Sequence, residues 1–325
     1  MESIGKDPGA SPETVKARLE ALGGEIEMVY NSSVQADIDK YLKHGRTQLT
    51  RLLNLSSYYM PIFERALEEA GLPEALKYLP VIESGLEPRA TSSKGAGGLW
   101  QFMPVAARGY DMKITSAIDE RCDPYISSKR ACKMLKDLHD MFGDWGLALA
   151  AYNAGPGTVK SAIRRAGGGK HTFWTLYNYL PAQTRKYVPK FIAMNYVMTY
   201  YSEHNIPDVA DVNTVATDTV HVKENMSLRQ VAGSLGVALD QLRSLNPHFR
   251  SDVIPGTESR HCTLILPAEK MKDFRTSRPR YNYPDAGSKT ASSTSLMEDN
   301  SRKAYSVLLE GKAKPIIDPH RFKKN

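Results

Sequence analysis

One acidic residue, Glu83, is placed where a carboxyl group could donate a proton. Apolar residues at helical spacing and the glycine stop Gly85 predict a helix over residues 73–84, with Glu83 in its last turn. The negative end of a helix dipole disfavours a carboxylate, and apolar neighbours disfavour it further. Both effects raise the pKa of Glu83, so the sequence predicts a group able to act as an acid near neutral pH.

Two further stretches carry side chains suited to binding a polar ligand. A loop over 88–97 is rich in glycine and contains Ser92. It leads into Gly98–Gln101, with a tryptophan and an amide, and a helix is predicted over Leu99–Arg108. The segment 145–154 is a nearly continuous apolar run, which predicts a buried helix. Tyr152 and Asn153 end this helix, where polar groups need partners.

The surrounding elements divide the chain into domains. We predict packing helices over 14–71, including a separate helix that starts near Pro61, and a helical catalytic domain over 72–206. A small domain over 216–270 follows, in the order strand, helix, helix, strand. The compositions of 1–13 and 273–325 predict disorder.

The composition excludes few classes of function. The chain has 325 residues, with 43 Lys and Arg against 36 Asp and Glu, a net charge of +7. This excess suits a polyanionic partner without choosing among nucleic acid, membrane and cell-wall polymer. No basic-aromatic motif supports a nucleic-acid role, and neither a membrane-length apolar run nor a signal segment is present in this sequence. The three cysteines lack zinc spacing, and the sequence does not decide whether Cys122 and Cys132 form a disulfide.

Three motifs, in order, resemble those of the family 1 lytic transglycosylases. They are Glu83-Ser84, then GLWQFMP over 98–104, then AYNAG over 151–155. The tryptophan of the second motif makes the likeness closest to the membrane-bound type D subgroup. The resemblance covers roughly residues 72–203 and implies a mainly α, lysozyme-like α+β catalytic domain with very little sheet.

The resemblance also implies a mechanism that uses one carboxyl group. Glu83 would protonate the glycosidic oxygen between N-acetylmuramic acid and N-acetylglucosamine. The resulting carboxylate would then take the proton of the muramic C6 hydroxyl, which closes on C1 to give a 1,6-anhydro end. A glycosidase normally uses two carboxylates. The single well-placed acid favours transglycosylation, and no metal or organic cofactor is implied.

Supporting roles are implied by the matched positions. Tyr187, in RKYVPKF, would hydrogen-bond the acid, and a core aromatic is its alternative role. Ser92 would bond the acetamido group, and an ordinary loop serine is an equal alternative. The other implied roles concern the orientation of the acid (Ser84), an apolar platform (Trp100 or Phe102) and polar contacts to the glycan (Gln101, Tyr152 and Asn153).

The C-terminal unit resembles a LysM domain, a small βααβ module that binds glycans containing N-acetylglucosamine. The likeness is carried by HVKENMSLRQVAGSLGVALDQLRSLNP followed by TLILP. It departs at Asn225, which stands where such modules have a turn glycine, since asparagine also tolerates positive φ. A purely structural appendage is the alternative to glycan binding.

Together these features predict a peptidoglycan lytic transglycosylase whose partners are peptidoglycan strands. The expected location is the periplasm, or the periplasmic face of a Gram-negative outer membrane, with any membrane association made through a segment absent from this chain. Two alternatives stay open. One is a hydrolytic muramidase on the same scaffold, and the other is a catalytically silent wall-binding protein.

Overall fold

The computed structural model describes residues 10–207, 215–257 and 261–277. Helices dominate these ranges, and the strands are short. The α-helices are α1 Pro12–Leu22, α2 Ser32–His44, α3 Arg46–Ala70, α4 Leu79–Ser84, α5 Pro104–Gly109, α6 Pro124–Phe142, α7 Trp145–Ala154, α8 Pro156–Arg165, α9 Phe173–Leu176, α10 Ala182–Arg185, α11 Tyr187–Thr199, α12 Leu228–Leu235, α13 Leu239–Leu245 and α14 Met271–Ser277. The strands are β1 Thr217–Val222, β2 Asn225–Ser227, β3 Val253–Pro255 and β4 Cys262–Pro267. The predicted fold class, mainly α with a small βααβ unit, is confirmed.

The first of two compact units is helical and comprises the described residues within 1–87, 99–101 and 124–210. Its centre is α7, in which every residue from Leu147 to Ala151 is buried, as its apolar sequence predicts. Helix α6 packs between α3 and α7, and α11 packs on α2 and α7. Asp144 starts α7 and also joins it to α9, because its Oδ1 accepts from the backbone N–H groups of Leu147 at 2.7 Å and Phe173 at 3.0 Å.

Helix α3 is longer than the sequence predicts. It runs unbroken through Pro61, where we expected a new helix to start. Proline lacks an N–H group and usually breaks a helix interior. Here the proline ring lies on the exposed face, while ten residues of the helix are buried. Burial of this long apolar face outweighs the local cost of one proline.

The predicted helix over Leu99–Arg108 is shorter than expected, because α5 starts at Pro104. Gly97 and Phe102 instead exchange two backbone hydrogen bonds of 3.0 Å, which close a tight turn around the second motif. Gln101 has a φ of +50° within this turn. Its backbone is therefore left-handed, and this conformation is incompatible with a continuing α-helix.

The second unit comprises the described residues within 88–98, 102–123 and 211–325, and it contains the small domain. Strand β1 pairs antiparallel with β4 along its whole length, from Thr217 opposite Pro267 to Val222 opposite Cys262. Strands β2 and β3 form a second antiparallel pair that the sequence analysis missed. Asn225 opens β2 opposite Pro255 with strand backbone, so it does not use the positive φ that asparagine tolerates.

Arginine side chains join the loop segment of the second unit to its βααβ domain. Asp119 accepts two hydrogen bonds from Arg121, at 2.9 and 2.8 Å, and one from Arg250 at 2.8 Å. Arg89 donates to the backbone carbonyls of Pro247 and Phe249, each at 3.0 Å. Charge-assisted bonds with this fork geometry are directional, so they hold the loop in register with the domain.

The predicted tails are ordered in part. Helix α1 starts within the predicted disordered stretch 1–13, and its cap Ser11 accepts from the Thr14 N–H at 3.2 Å. Helix α14 occupies the start of the predicted disordered tail, and the rest of that tail lies outside the described residues. All three cysteines are buried free thiols. In the part of the chain that the structure describes, no helix has the length and apolar character of a membrane span.

Candidate active site

The position of Glu83 follows the sequence prediction closely. It lies in the last turn of α4, and Gly85 ends the helix with a left-handed φ of +62°. The Gly85 N–H donates to the Val81 carbonyl at 3.1 Å. Leu79, Val81 and Ile82 are buried, while the Glu83 side chain is half-buried. The carboxyl group is therefore poorly hydrated but still accessible, as a proton donor must be.

The electrostatic surroundings of Glu83 favour its protonated form and also support its anion. Burial raises the pKa of the Glu83 carboxyl, and the Tyr187 hydroxyl and the Lys190 ammonium group oppose this rise. Tyr187 donates a short hydrogen bond to Glu83 Oε1. The predicted direction of the pKa shift is confirmed, and the tyrosine contact is the one that the sequence indicated.

A second tyrosine connects the third motif to the second. The Tyr152 hydroxyl donates to the Trp100 carbonyl oxygen at 2.6 Å. Burial raises the pKa of Tyr152 well above its usual value, and the Glu83 charge adds to the rise. Tyr152 is therefore a neutral donor, and it lies close enough to Glu83 for the Glu83 charge to affect its pKa. Asn153, next to it in the last turn of α7, is half-buried.

The aromatic rings of the second motif do not form the expected platform. Trp100 is 0% exposed, its indole Nε1 donates to Ser128 Oγ at 2.9 Å, and its ring packs edge-on against Phe63. Phe102 is 2% exposed and packs against Tyr110. A stacking platform needs a ring face open to the ligand. The structure gives both rings a core role that fixes the backbone of the motif.

The two serines make hydrogen bonds with nearby backbone groups. Ser84 Oγ donates to the Pro80 carbonyl at 2.9 Å, which closes back on its own helix. Ser92 Oγ accepts from the Ala96 N–H at 3.0 Å and so fixes the glycine-rich loop. Ser84 thus supports the helix that carries Glu83. In this hydrogen bond Ser92 Oγ is the acceptor, so the bond does not use the hydroxyl proton.

Sequence reasoning missed Lys190 and Ser128. Lys190 Nζ donates to the Ile82 carbonyl at 3.1 Å, directly before the acid in the chain. Its signal in the sequence is a single lysine inside the apolar run YVPKFIAMNYVM, one turn after Tyr187. Ser128 carries no comparable signal, because a serine facing the core of α6 looks like any small helical residue.

Proton transfer is the chemistry that this arrangement can support. A half-buried carboxyl group with a raised pKa can release a proton, and nearby donors can stabilise the anion that remains. Within the described residues, no three His, Cys, Asp or Glu side chains come together as ligands for a metal ion.

Two known families match the chain. The family described as "Transglycosylase SLT domain" matches residues 60–174. The family described as "Lytic transglycosylase MltD, LysM-like domain" matches residues 216–283. The first match contains Glu83 and all three motifs, and the second contains the βααβ domain.

Named relatives agree with these matches. The chain is 29% identical over 261 residues to the membrane-bound lytic murein transglycosylase D of Escherichia coli K12, across 79% of this chain and 57% of the relative. It is 26% identical over 151 residues to the soluble lytic murein transglycosylase of the same strain, across 44% of this chain and 23% of the relative. The chain therefore spans little more than half the length of the first relative.

Solved structures of soluble lytic transglycosylases are more distant. The 70 kDa enzyme of E. coli is 23% identical, with a TM-score of 0.38, and 48% of this chain and 26% of that chain are covered. A Pseudomonas aeruginosa enzyme is 19% identical, with a TM-score of 0.39, and 64% of this chain and 40% of that chain are covered.

Proposed function

Because the chain contains a transglycosylase SLT domain followed by a LysM-like domain of the MltD type, we propose that it is a peptidoglycan lytic transglycosylase. Its substrate is the glycan strand of peptidoglycan, in which it cleaves the β-1,4 bond between N-acetylmuramic acid and N-acetylglucosamine. The observation that carries the proposal is the half-buried Glu83, with a raised pKa and a hydrogen bond from Tyr187.

Glu83 acts first as an acid and then as a base. Its proton goes to the glycosidic oxygen, the bond from that oxygen to the muramic C1 breaks, and the N-acetylglucosamine chain leaves as an alcohol. The Glu83 carboxylate then takes the proton of the muramic C6 hydroxyl while that oxygen bonds to C1. The product is a 1,6-anhydro end, Glu83 regains its proton, and no water is consumed.

The groups around Glu83 support a single-carboxylate mechanism. Tyr187 and Lys190 act on its charge, and both side chains are hydrogen-bond donors. Donors of this kind stabilise the anion that exists between the two proton transfers. A hydrolase of the usual type would instead place a second carboxylate across the bond, to activate water or to attack C1.

Product analysis tests the proposal. We expect purified peptidoglycan digested by this protein to yield fragments that end in 1,6-anhydromuramic acid. Mass spectrometry separates them from hydrolysis products, because a hydrated reducing end is heavier by one water, about 18 Da. Fragments with reducing muramic ends alone would identify a muramidase. Absence of any fragment, with wall binding retained, would identify a silent binding protein.

Gln101 is proposed to contact the sugar at some cost to its own backbone. Its left-handed φ of +50° costs a non-glycine residue about 1–2 kcal/mol. We expect Gln101→Gly to keep stability within about 1 kcal/mol of wild type, because relief of strain offsets the greater freedom of unfolded glycine. Release of fragments should fall about tenfold, the size of one lost hydrogen bond.

Urea unfolding and turnover on the same preparations check this prediction. A stability loss of several kcal/mol with a proportional loss of activity would show that the Gln101 side chain stabilises the fold and does not bind the substrate. Ser92, Asn153 and Tyr152 are proposed as further contacts to the glycan, and Ser84 as support for the helix that carries the acid.

The LysM-like domain is proposed to hold the enzyme on glycan that contains N-acetylglucosamine. Its register from β1 to β4 gives it a rigid frame of its own. The similarity to the membrane-bound lytic murein transglycosylase D of E. coli supports action in the periplasm or at the outer membrane. A pull-down with insoluble peptidoglycan, comparing the whole protein with a chain cut before Thr217, tests the binding role.

A further inference from the structure

We propose that Lys190 is a positioning residue for Glu83. It fixes the end of the helix that carries the acid, and its positive charge stabilises the Glu83 carboxylate between the two proton transfers. This inference rests on the proposed function and adds a residue that none of the three motifs contains.

The first argument is geometric. Lys190 Nζ donates at 3.1 Å to the carbonyl of Ile82, the residue directly before Glu83. That carbonyl lies in the last turn of α4, where carbonyl groups have no partner within the helix. Lys190 lies three residues after Tyr187, so both side chains leave the same face of α11. One helix therefore supplies a donor to the acid and a donor to the backbone beside it.

The second argument concerns the cost of placing a lysine there. Its neighbours on α11, Pro189 and Phe191, are buried. Burial lowers the pKa of Lys190, and the carboxylates of Glu83 and Asp37 oppose this change, while Lys40 adds to it. Asp37 and Lys40 both belong to α2. A buried ammonium group is tolerated only when opposite charges compensate it. The carboxylates of Glu83 and Asp37 supply that compensation.

The third argument comes from the reaction itself. The site must favour the protonated acid before cleavage, and burial does this. Burial also makes the anion unfavourable after the proton has left, which slows cleavage. A fixed positive charge opposes this penalty selectively, because it attracts Glu83 only when Glu83 is ionised. Lys190 needs to exchange no proton with the substrate for this role.

Lys190→Gln tests the charge separately from the hydrogen bond. Glutamine can still donate to the Ile82 carbonyl, but it carries no charge. Loss of the charge removes an influence that lowers the pKa of Glu83, so that pKa should rise. Activity requires the protonated acid and falls as pH rises through this pKa. We therefore expect the alkaline limb of the pH profile to move up by roughly one unit or more, as for loss of a nearby opposite charge.

The rate should change in a characteristic way. A weaker acid transfers its proton more slowly, so we expect kcat on soluble glycan fragments to fall, by at most about tenfold per unit of pKa change. KM should stay close to wild type, because Lys190 acts through Glu83. Lys186→Gln is the matched control, since Lys186 is exposed and its charge acts on Asp37. Lys186→Gln should change neither the alkaline limb of the pH profile nor kcat.

A second measurement does not need activity. The Glu83 carboxyl carbon can be titrated by NMR in protein labelled with ¹³C-glutamate and assigned by its loss in Glu83→Gln. Its pKa should be higher in Lys190→Gln and in Lys190→Met than in wild type. An unchanged pKa in both variants would overturn the role of Lys190. A wild type that makes no anhydro ends would contradict the proposed function, and the titration would still decide the inference.

Discussion

Replacing Glu83 with glutamine is expected to lower the release of anhydromuropeptides by about 10³-fold or more, because in the proposed mechanism one group provides both the acid and the base. Glutamine has the same shape but neither donates nor accepts a proton at the required steps. The loss should appear in kcat, with little change in binding to insoluble peptidoglycan. Mass spectrometry of timed digests measures the rate, and sedimentation with the wall measures binding.

Stability should change in the opposite direction to activity. Burial raises the pKa of Glu83 in the folded protein above its unfolded value, so the folded state binds more protons. Stability from this group is therefore present below the unfolded pKa and is lost as pH rises through the folded pKa. We expect the thermal midpoint of Glu83→Gln to equal or exceed that of wild type at neutral pH, and to match it in acid. Such a trade-off is typical of active-site groups.

Glu87→Gln is the control for Glu83→Gln. Glu87 lies four residues further on, beyond the helix stop at Gly85. The Glu87→Gln variant should release anhydromuropeptides at near wild-type rates. Retention of more than about a tenth of wild-type activity by Glu83→Gln would exclude the single-carboxylate mechanism, since general acid and base catalysis contributes about 10²–10⁴-fold.

Gly98→Ala is expected to have the largest structural effect of any single methyl group in the site region. A Cβ at this position would lie 1.8 Å from the Arg121 carbonyl oxygen, and the φ of +84° disfavours any side chain. Overpacking costs about 1–3 kcal/mol and the backbone strain a further 1–2 or so. We expect a loss of about 2–5 kcal/mol in urea unfolding. Activity should fall as well, because Gly98 directly precedes Leu99–Gln101.

Gly95→Ala separates the two costs. Gly95 has the same φ of +84°, but an added Cβ would meet no atom within 4 Å. This variant should lose only the strain component, roughly 1–2 kcal/mol. Equal losses of stability in the two variants would show that contact with Arg121 adds nothing to the cost of a side chain at Gly98.

Local signals in the chain predicted where several helices start or end. Gly85 stops α4 as expected, Asp144 caps α7, and Ser227 caps α12. These features depend on backbone preferences over a few residues, which the sequence displays directly. The same reasoning failed at Pro61 and over Leu99–Met103. At Pro61 the burial of the long apolar face outweighed the local preference, and over Leu99–Met103 the turn closed by Gly97 and Phe102 replaced the expected helix.

The sequence by itself predicted Glu83 as the acid, through the resemblance of its three motifs in order. It also predicted the helical class of the domain, because capping and apolar spacing act locally. The resemblance implied that Tyr187 contacts Glu83, although it lies 104 residues away and reaches the acid only because α11 packs beside α4. Only the tertiary structure revealed Lys190, and only the packing of α3 and α6 made Trp100 a core ring instead of the expected platform. Such contacts depend on how apolar faces fit together in space, and no local pattern along the chain records that fit.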